Sequence, residues 1–176
     1  MSTYTVTRQI AIDAGHRVMT HGSKCRHLHG HRYTIEATCL ADHLQAGGEQ
    51  SDMVLDFGFL KAAMMEEIDA PCDHGFLAHV EDGALLAMFR PEDADAGTWF
   101  AAIREGVRRD GYCLTSATRM ETKLYVLDVN PTAEQLCRHW FARLKPVVAD
   151  KSGGLARLQE IVVWETPHCR AAFREP

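Results

Sequence analysis

HGHRYTIEATCL, residues 29–40, sorts into two kinds of side chain. His29, His31, Tyr33, Ile35, Ala37 and Cys39 fall on one side; Arg32, Thr34, Glu36 and Thr38 fall on the other. A period of two is the mark of a β-strand with one buried face. That face begins with two histidines, and Gly30 between them presents no side chain to the opposite face. A strand built this way offers two imidazoles to one metal ion.

Residues 4–14 carry the same period. Tyr4, Val6, Ile10, Ile12 and Ala14 alternate with Thr5, Thr7, Gln9 and Asp13; Arg8 interrupts the apolar side and Ala11 the polar one. If the two strands pair as a hairpin, the end of the first lies beside the start of the second. His16 stands just past that end, on the extension of the apolar face, and joins His29 and His31 as a metal candidate. Catalytic zinc takes three protein ligands and keeps one position open. HxH alone also arises by chance in a histidine-rich chain, so the matching position of His16 is what favours a metal. His21 and His27 compete from the loop between the strands, where a histidine is usually only solvated.

Cys25 lies four residues before His29. It reads as a zinc ligand, as an unreactive loop thiol, or as a base, because a metal and the adjacent Lys24 or Arg26 favour a thiolate. Three histidines already fill a catalytic site, so the base is the preferred role. Asp73 and His74 follow a helix break. A carboxylate and an imidazole delivered together can relay protons with a third group, although many surface loops hold such a pair. Glu165 ends an apolar face formed with Ile161 and Val163. It is either solvated at the strand end or aimed into a pocket, where a flat heterocycle with N–H beside NH2 would offer it two donors. Thr132 and Glu134 open a helix, where Thr caps and Glu suits the dipole.

Asp56 caps a helix expected from about Phe57 to Ile68, with Phe57, Leu60, Met64 and Ile68 on one face. DAPCDHGF, 69–76, breaks it. GALLAMF (83–89) and TWFAAIREGVRRDG (98–111) read as two short helices around an acidic turn, the second ended by Gly111. KLYVLDV (123–129) and LQEIVVWET (158–166) are strands. Between them NPTAEQLCRHWFARLKPVV (130–148) is a helix capped by Asn130 or Thr132, with Pro131 in its first turn and a stripe of Leu136, Trp140 and Leu144. Strands in pairs with helices between them predict an α+β fold.

A length of 176 residues suits a single domain, 1–176. The net charge of −5 argues against a nucleic-acid partner, whose phosphates recruit basic surfaces. No run is apolar enough to span a bilayer, and MSTYTVTRQI lacks the basic start and apolar run of a signal peptide, so neither a membrane nor export is expected and the compartment is read as cytoplasmic. The six cysteines are then reduced, and apart from Cys25 they read as small core hydrophobes.

Taken in order, AGH (14–16), CRHLHGH (25–31), MVLDFGFLK (53–61), DHGFL (73–77), NPTAEQL (130–136) and VVWET (162–166) resemble the 6-pyruvoyl-tetrahydropterin synthase and 6-carboxytetrahydropterin synthase family. The resemblance covers most of the chain except about residues 80–120. It implies a tunnelling fold: a four-stranded antiparallel sheet with two main helices on one face, here with a helical insertion near 80–120. It also implies a homo-oligomer in which three subunits close a barrel, two trimers stack into a hexamer, and active sites form between subunits. By the same resemblance His16, His29 and His31 hold Zn2+, Cys25 is the catalytic base, and Asp73 and His74 are the relay. Glu165 anchors the pterin ring, and Thr132 and Glu134 lie in the segment lining the pterin pocket.

The spacing in CRHLHGH resembles that of the bacterial 6-carboxytetrahydropterin synthases. Some members place a glutamate in this spacer and cleave dihydroneopterin like an aldolase; this chain has Arg26 there. The resemblance therefore implies a zinc-dependent lyase converting 7,8-dihydroneopterin triphosphate to 6-carboxy-5,6,7,8-tetrahydropterin, with loss of triphosphate and acetaldehyde, in queuosine and 7-deazaguanine synthesis. The alternatives are the pyruvoyl reaction, another pterin as substrate, or a non-catalytic zinc- or pterin-binding protein. Cys25, Asp73 and His74 together speak against the last, because binding alone needs neither thiol nor relay.

Overall fold

A computed structural model describes residues 3–175. In chain order the elements are β1 (Tyr4–His16), β2 (His29–Ala41), α1 (Phe57–Met64), a π-helical turn (Met65–Asp69) leading into α2 (Ala70–Cys72), β3 (Gly75–His79), α3 (Gly83–Phe89), α4 (Ala96–Asp110), β4 (Tyr112–Thr115), β5 (Lys123–Leu127), α5 (Ala133–Lys151), β6 (Arg157–Thr166) and β7 (Cys169–Phe173).

β1 and β2 form the expected antiparallel hairpin, with Ile10 opposite Ile35, Ala14 opposite His31 and His16 opposite His29. The alternation sorts as read: Tyr33, Ile35, Ala37 and Cys39 are buried, and Arg32 is exposed. The sheet as a whole differs from the expected four antiparallel strands. It has seven, in the order β4-β5-β3-β1-β2-β6-β7, and it is mixed: β3 runs parallel to both β1 and β5.

The two main helices do pack on one face. Asp56 caps α1 through the Phe59 N–H at 2.8 Å. Leu60, Met64 and Ile68, with Leu136, Trp140, Phe141, Leu144 and Val148 of α5, bury against Ile10, Ile12, Tyr33, Ile35, Ile161 and Val163. Each such Leu, Ile or Val contributes about 1.5–3 kcal/mol. Phe57, expected on this face, is 54% exposed and borders a surface cleft with Tyr4 and Met53 instead; Leu60 is the first residue of α1 to be fully buried.

Segment 80–120 is more than a helical insertion. It also supplies β4, which pairs antiparallel with β5. Leu85 and Leu86 of α3 and Ile103 and Val107 of α4 cover Ala78, Leu124 and Val126, while the alternate residues Leu77, Tyr125 and Leu127 face the main core. β3 and β5 are thus buried on both faces, as parallel strands usually are. Gly111 ends α4 as read, at φ +79° with its N–H donating to Val107 O. On α5 the cap is Thr132 rather than Asn130, its Oγ1 accepting the Gln135 N–H at 3.4 Å. Pro131 therefore precedes the cap instead of lying in the first turn.

Candidate functional site

Because His16 faces His29 across the hairpin and His31 is two residues further on, three imidazoles meet at one end of the β1–β2 pair. One ring nitrogen from each lies within 4.8 Å of the others. Two of the rings are oriented from behind. His16 Nδ1–H donates to the Pro131 carbonyl at 2.8 Å, and His29 Nδ1–H donates to the His27 carbonyl at 2.8 Å. These bonds fix the tautomers and leave both Nε2 atoms as lone-pair donors, the usual outer-shell arrangement of metal-ligating histidines. Pro131 and His27 thus act through their backbones.

His16 Nε2 and His31 Nε2 are buried and have no hydrogen-bond partner among the described residues. Burial pushes His16 down to about 4, with His29 and His31 adding to the effect against the Pro131 bond. His31 is also lowered by burial, against the opposing pull of Glu165. Neutral imidazoles with orphaned nitrogens suit a divalent metal, which competes with protons for the same lone pairs. The residues present therefore fit a three-histidine metal site.

A cavity of about 300 Å³ borders this cluster at His16 and is walled by Cys25, Thr132, Glu134 and Glu165. One chain therefore brings five of the nine candidate residues to one cavity. Cys25 sits on a single 3-10 turn, Lys24–Arg26, half-buried and outside the three-histidine group. Glu165 is half-buried rather than fully solvated at the strand end. It lies at a register shift between β6 and β7, a bulge that aims its side chain across β2. Its Oε1 stands 3.6 Å from His16 Nε2 and 3.7 Å from His31 Nε2. Thr132 caps α5 and also lines the cavity.

Val18, His21, Cys169 and Arg170 also line the wall, with Ala133 and Ala171, and no sequence signal pointed to them there. His21 borders the cavity rather than the three-histidine cluster. Cys169 is exposed, not the core hydrophobe expected; Cys113 is half-buried, while Cys39, Cys72 and Cys137 are buried as read. All six thiols are free.

Asp73 and His74 do form a pair, His74 Nδ1–H donating to Asp73 Oδ2 at 2.6 Å. Asp73 Oδ1 accepts the Asp13 N–H at 2.8 Å, and the His74 N–H donates to Asp13 O, so the pair is mated to β1. Lys123 Nζ holds the Asp73 carbonyl at 2.8 Å. His74 takes φ +53°, a left-handed conformation costly for a side-chain-bearing residue, and these bonds over-determine it. Burial raises the Asp73 carboxyl, but the Asp13 and His74 bonds win and hold it below the usual carboxylate range. The His74 side chain is 79% exposed and lines a separate cavity of about 500 Å³ with Arg32 and Gly30. Within one chain the pair does not join the Cys25 cavity.

Comparison with known proteins gives the same direction. The family model described as 6-pyruvoyl tetrahydropterin synthase matches residues 5–176. The 6-carboxy-5,6,7,8-tetrahydropterin synthase of Rickettsia bellii is 31% identical over 163 residues, covering 93% of this chain and 94% of that protein. The protein of the same description from Aquifex aeolicus is 28% identical over 192 residues, covering 98% of each. Among solved structures, an uncharacterized Wolinella succinogenes protein, WS1659, superposes with TM-score 0.68 at 19% identity over all of both chains. The 6-pyruvoyl tetrahydropterin synthase of Caenorhabditis elegans superposes with TM-score 0.59 at 19% identity, covering 100% of this chain and 98% of that one. At these identities the structures speak for the fold.

Proposed function

The chain belongs to the 6-pyruvoyl tetrahydropterin synthase family, whose members are lyases, and from that premise we propose that it converts 7,8-dihydroneopterin triphosphate to 6-carboxy-5,6,7,8-tetrahydropterin, releasing triphosphate and acetaldehyde. The observation that carries this reading is the cavity in which Cys25, Thr132, Glu134 and Glu165 converge beside the three-histidine cluster. The names of the Rickettsia bellii and Aquifex aeolicus relatives favour the carboxy product over the pyruvoyl one. Its place would be the supply of 7-deazaguanine and queuosine synthesis in the cytoplasm.

His16, His29 and His31 would hold zinc, which when bound supplies Lewis acidity toward the hydroxyls of the substrate side chain. The Cys25 thiolate takes a proton from that side chain. Glu165 accepts the paired N–H and NH2 donors of the pterin edge, an interaction strengthened by its charge. Thr132 and Glu134 form the adjoining wall. Asp73 orients His74 through Nδ1, which leaves Nε2 free to hand a proton on. The pair stands outside the Cys25 cavity of its own chain, so a homo-oligomer in which a neighbouring subunit supplies it completes the site.

The test is a Cys25→Ala variant. It is expected to keep its zinc and to lose turnover of 7,8-dihydroneopterin triphosphate by roughly 10²–10⁴-fold, the range for losing a general base. Loss of zinc instead would make Cys25 a ligand and overturn its role as base.

A further inference from the structure

We infer that Asp82 is a positioning residue, tying segment 80–120 to the loop that carries Cys25 by way of Arg17. The inference rests on the assignment of Cys25 made above. Arg17 follows His16 directly and opens that loop. Its Nε donates to Asp82 Oδ2 at 2.6 Å, and a second guanidinium nitrogen donates to Oδ1, a two-pronged grip. Asp82 is only 3% exposed. Its Oδ1 also accepts the Leu85 N–H at 3.1 Å, which caps α3. One buried carboxylate therefore both starts the first helix of the segment and holds Arg17.

The next link is short. The Val18 N–H donates to the Cys25 carbonyl at 2.8 Å, and Val18 itself walls the Cys25 cavity. On the far side the loop is held by Asn130 Nδ2 donating to Thr20 Oγ1 at 3.2 Å. Burial raises the Asp82 carboxyl, but Arg17 and the Leu85 N–H outweigh it and keep it below the usual range, so the partner grips a charged group. A charge this buried tolerates little movement of its partner. The path from Asp82 through Arg17 and Val18 to Cys25 gives segment 80–120 a part in aiming the thiol.

Two variants separate aiming from helix capping. Asp82→Asn retains a good cap acceptor but removes the charge. Arg17→Met removes the other half of the pair. Each is made in the full zinc-loaded chain, and two rates are read: turnover of 7,8-dihydroneopterin triphosphate, and alkylation of Cys25 by iodoacetamide, followed on its own peptide by mass spectrometry. Both variants are expected to alkylate about fivefold faster or more and to lose about tenfold or more in kcat at unchanged zinc content, and the double variant is expected to be no worse than either single one. Asp82→Asn matching the unmutated protein in both rates, with only Asp82→Ala impaired, would make Asp82 a cap alone and overturn the inference. If Asp82→Asn does not fold, Arg17→Met decides by the same rates. If even the unmutated protein leaves the pterin unchanged, the proposed reaction fails, and the alkylation rates alone decide the positioning claim.

Discussion

His16 and His29 stand directly opposite each other in the antiparallel register of β1 and β2, with ring centroids 4.4 Å apart. Each ring is held from behind by a backbone carbonyl, so the pair and His31 present their ring nitrogens as a group that could hold a metal. Replacing any one of the three by Ala is expected to weaken zinc binding more than about 100-fold, beyond the usual effect of losing an outer-shell partner. Metal content of the purified variants checks this; a full complement of zinc in His29→Ala would refute the ligand set.

Gly30 lies between two of those histidines, and it works by being bare. A Cβ there would stand 2.9 Å from the Ala14 carbonyl oxygen. Gly30→Ala is therefore expected to force β1 and β2 apart at the metal site, costing roughly 1–3 kcal/mol and lowering zinc affinity with all three histidines in place. Gly22→Ala, where a Cβ meets nothing within 4 Å, is the control. Equal zinc affinity and melting temperature in the two variants would contradict this account of Gly30.

Glu165→Gln removes the charge that would grip the pterin edge. A hydrogen bond to a charged group is worth about 1.5–3 kcal/mol, so affinity for 7,8-dihydroneopterin is expected to fall roughly 10- to 100-fold. Calorimetric titration of the zinc-loaded variant reads this directly, and an unchanged Kd would remove Glu165 from ligand binding.

His139 sets a pH dependence remote from the site. Tyr125 Oη and His139 Nε2 share a hydrogen bond at 2.6 Å, and burial, with the Arg143 cation nearby, pushes His139 down to about 4 from 6.5. Between those values the unfolded chain binds a proton here that the folded chain does not. Stability therefore falls as pH drops from 6.5 to 4, by at most about 1.4 kcal/mol per pH unit, and this contribution is constant below 4. Thermal melts across that range are expected to show a shallower fall for His139→Gln than for the unmutated protein; parallel curves would contradict the assignment.

The hairpin and the three-histidine cluster were legible because period-two alternation marks strands buried on one face, and His16 continues such a face past its end. β3 and β5 were harder, since both their faces are buried. KLYVL still registers as an apolar run standing clear of punctuating residues, whereas GFLAH, equally long, hides among the helix-breaking residues before it. β4 and β7 are short edge strands, four and five residues long, which leave too few positions for a period to emerge. Missing β7 also concealed Cys169 and Arg170 as cavity walls. VVWET and CRAAF flank Pro167–His168, and two apolar runs around a two-residue break were the available sign of a hairpin. The Asp82–Arg17 pair joins residues 65 apart in sequence, and no local pattern announces it.

The central claim is tested most directly by incubating the zinc-loaded protein with 7,8-dihydroneopterin triphosphate and identifying the products by mass spectrometry. The account predicts 6-carboxy-5,6,7,8-tetrahydropterin with triphosphate and acetaldehyde. Release of triphosphate without acetaldehyde would assign the pyruvoyl reaction instead, and an unchanged substrate beside folded, zinc-loaded protein would contradict the lyase reading outright.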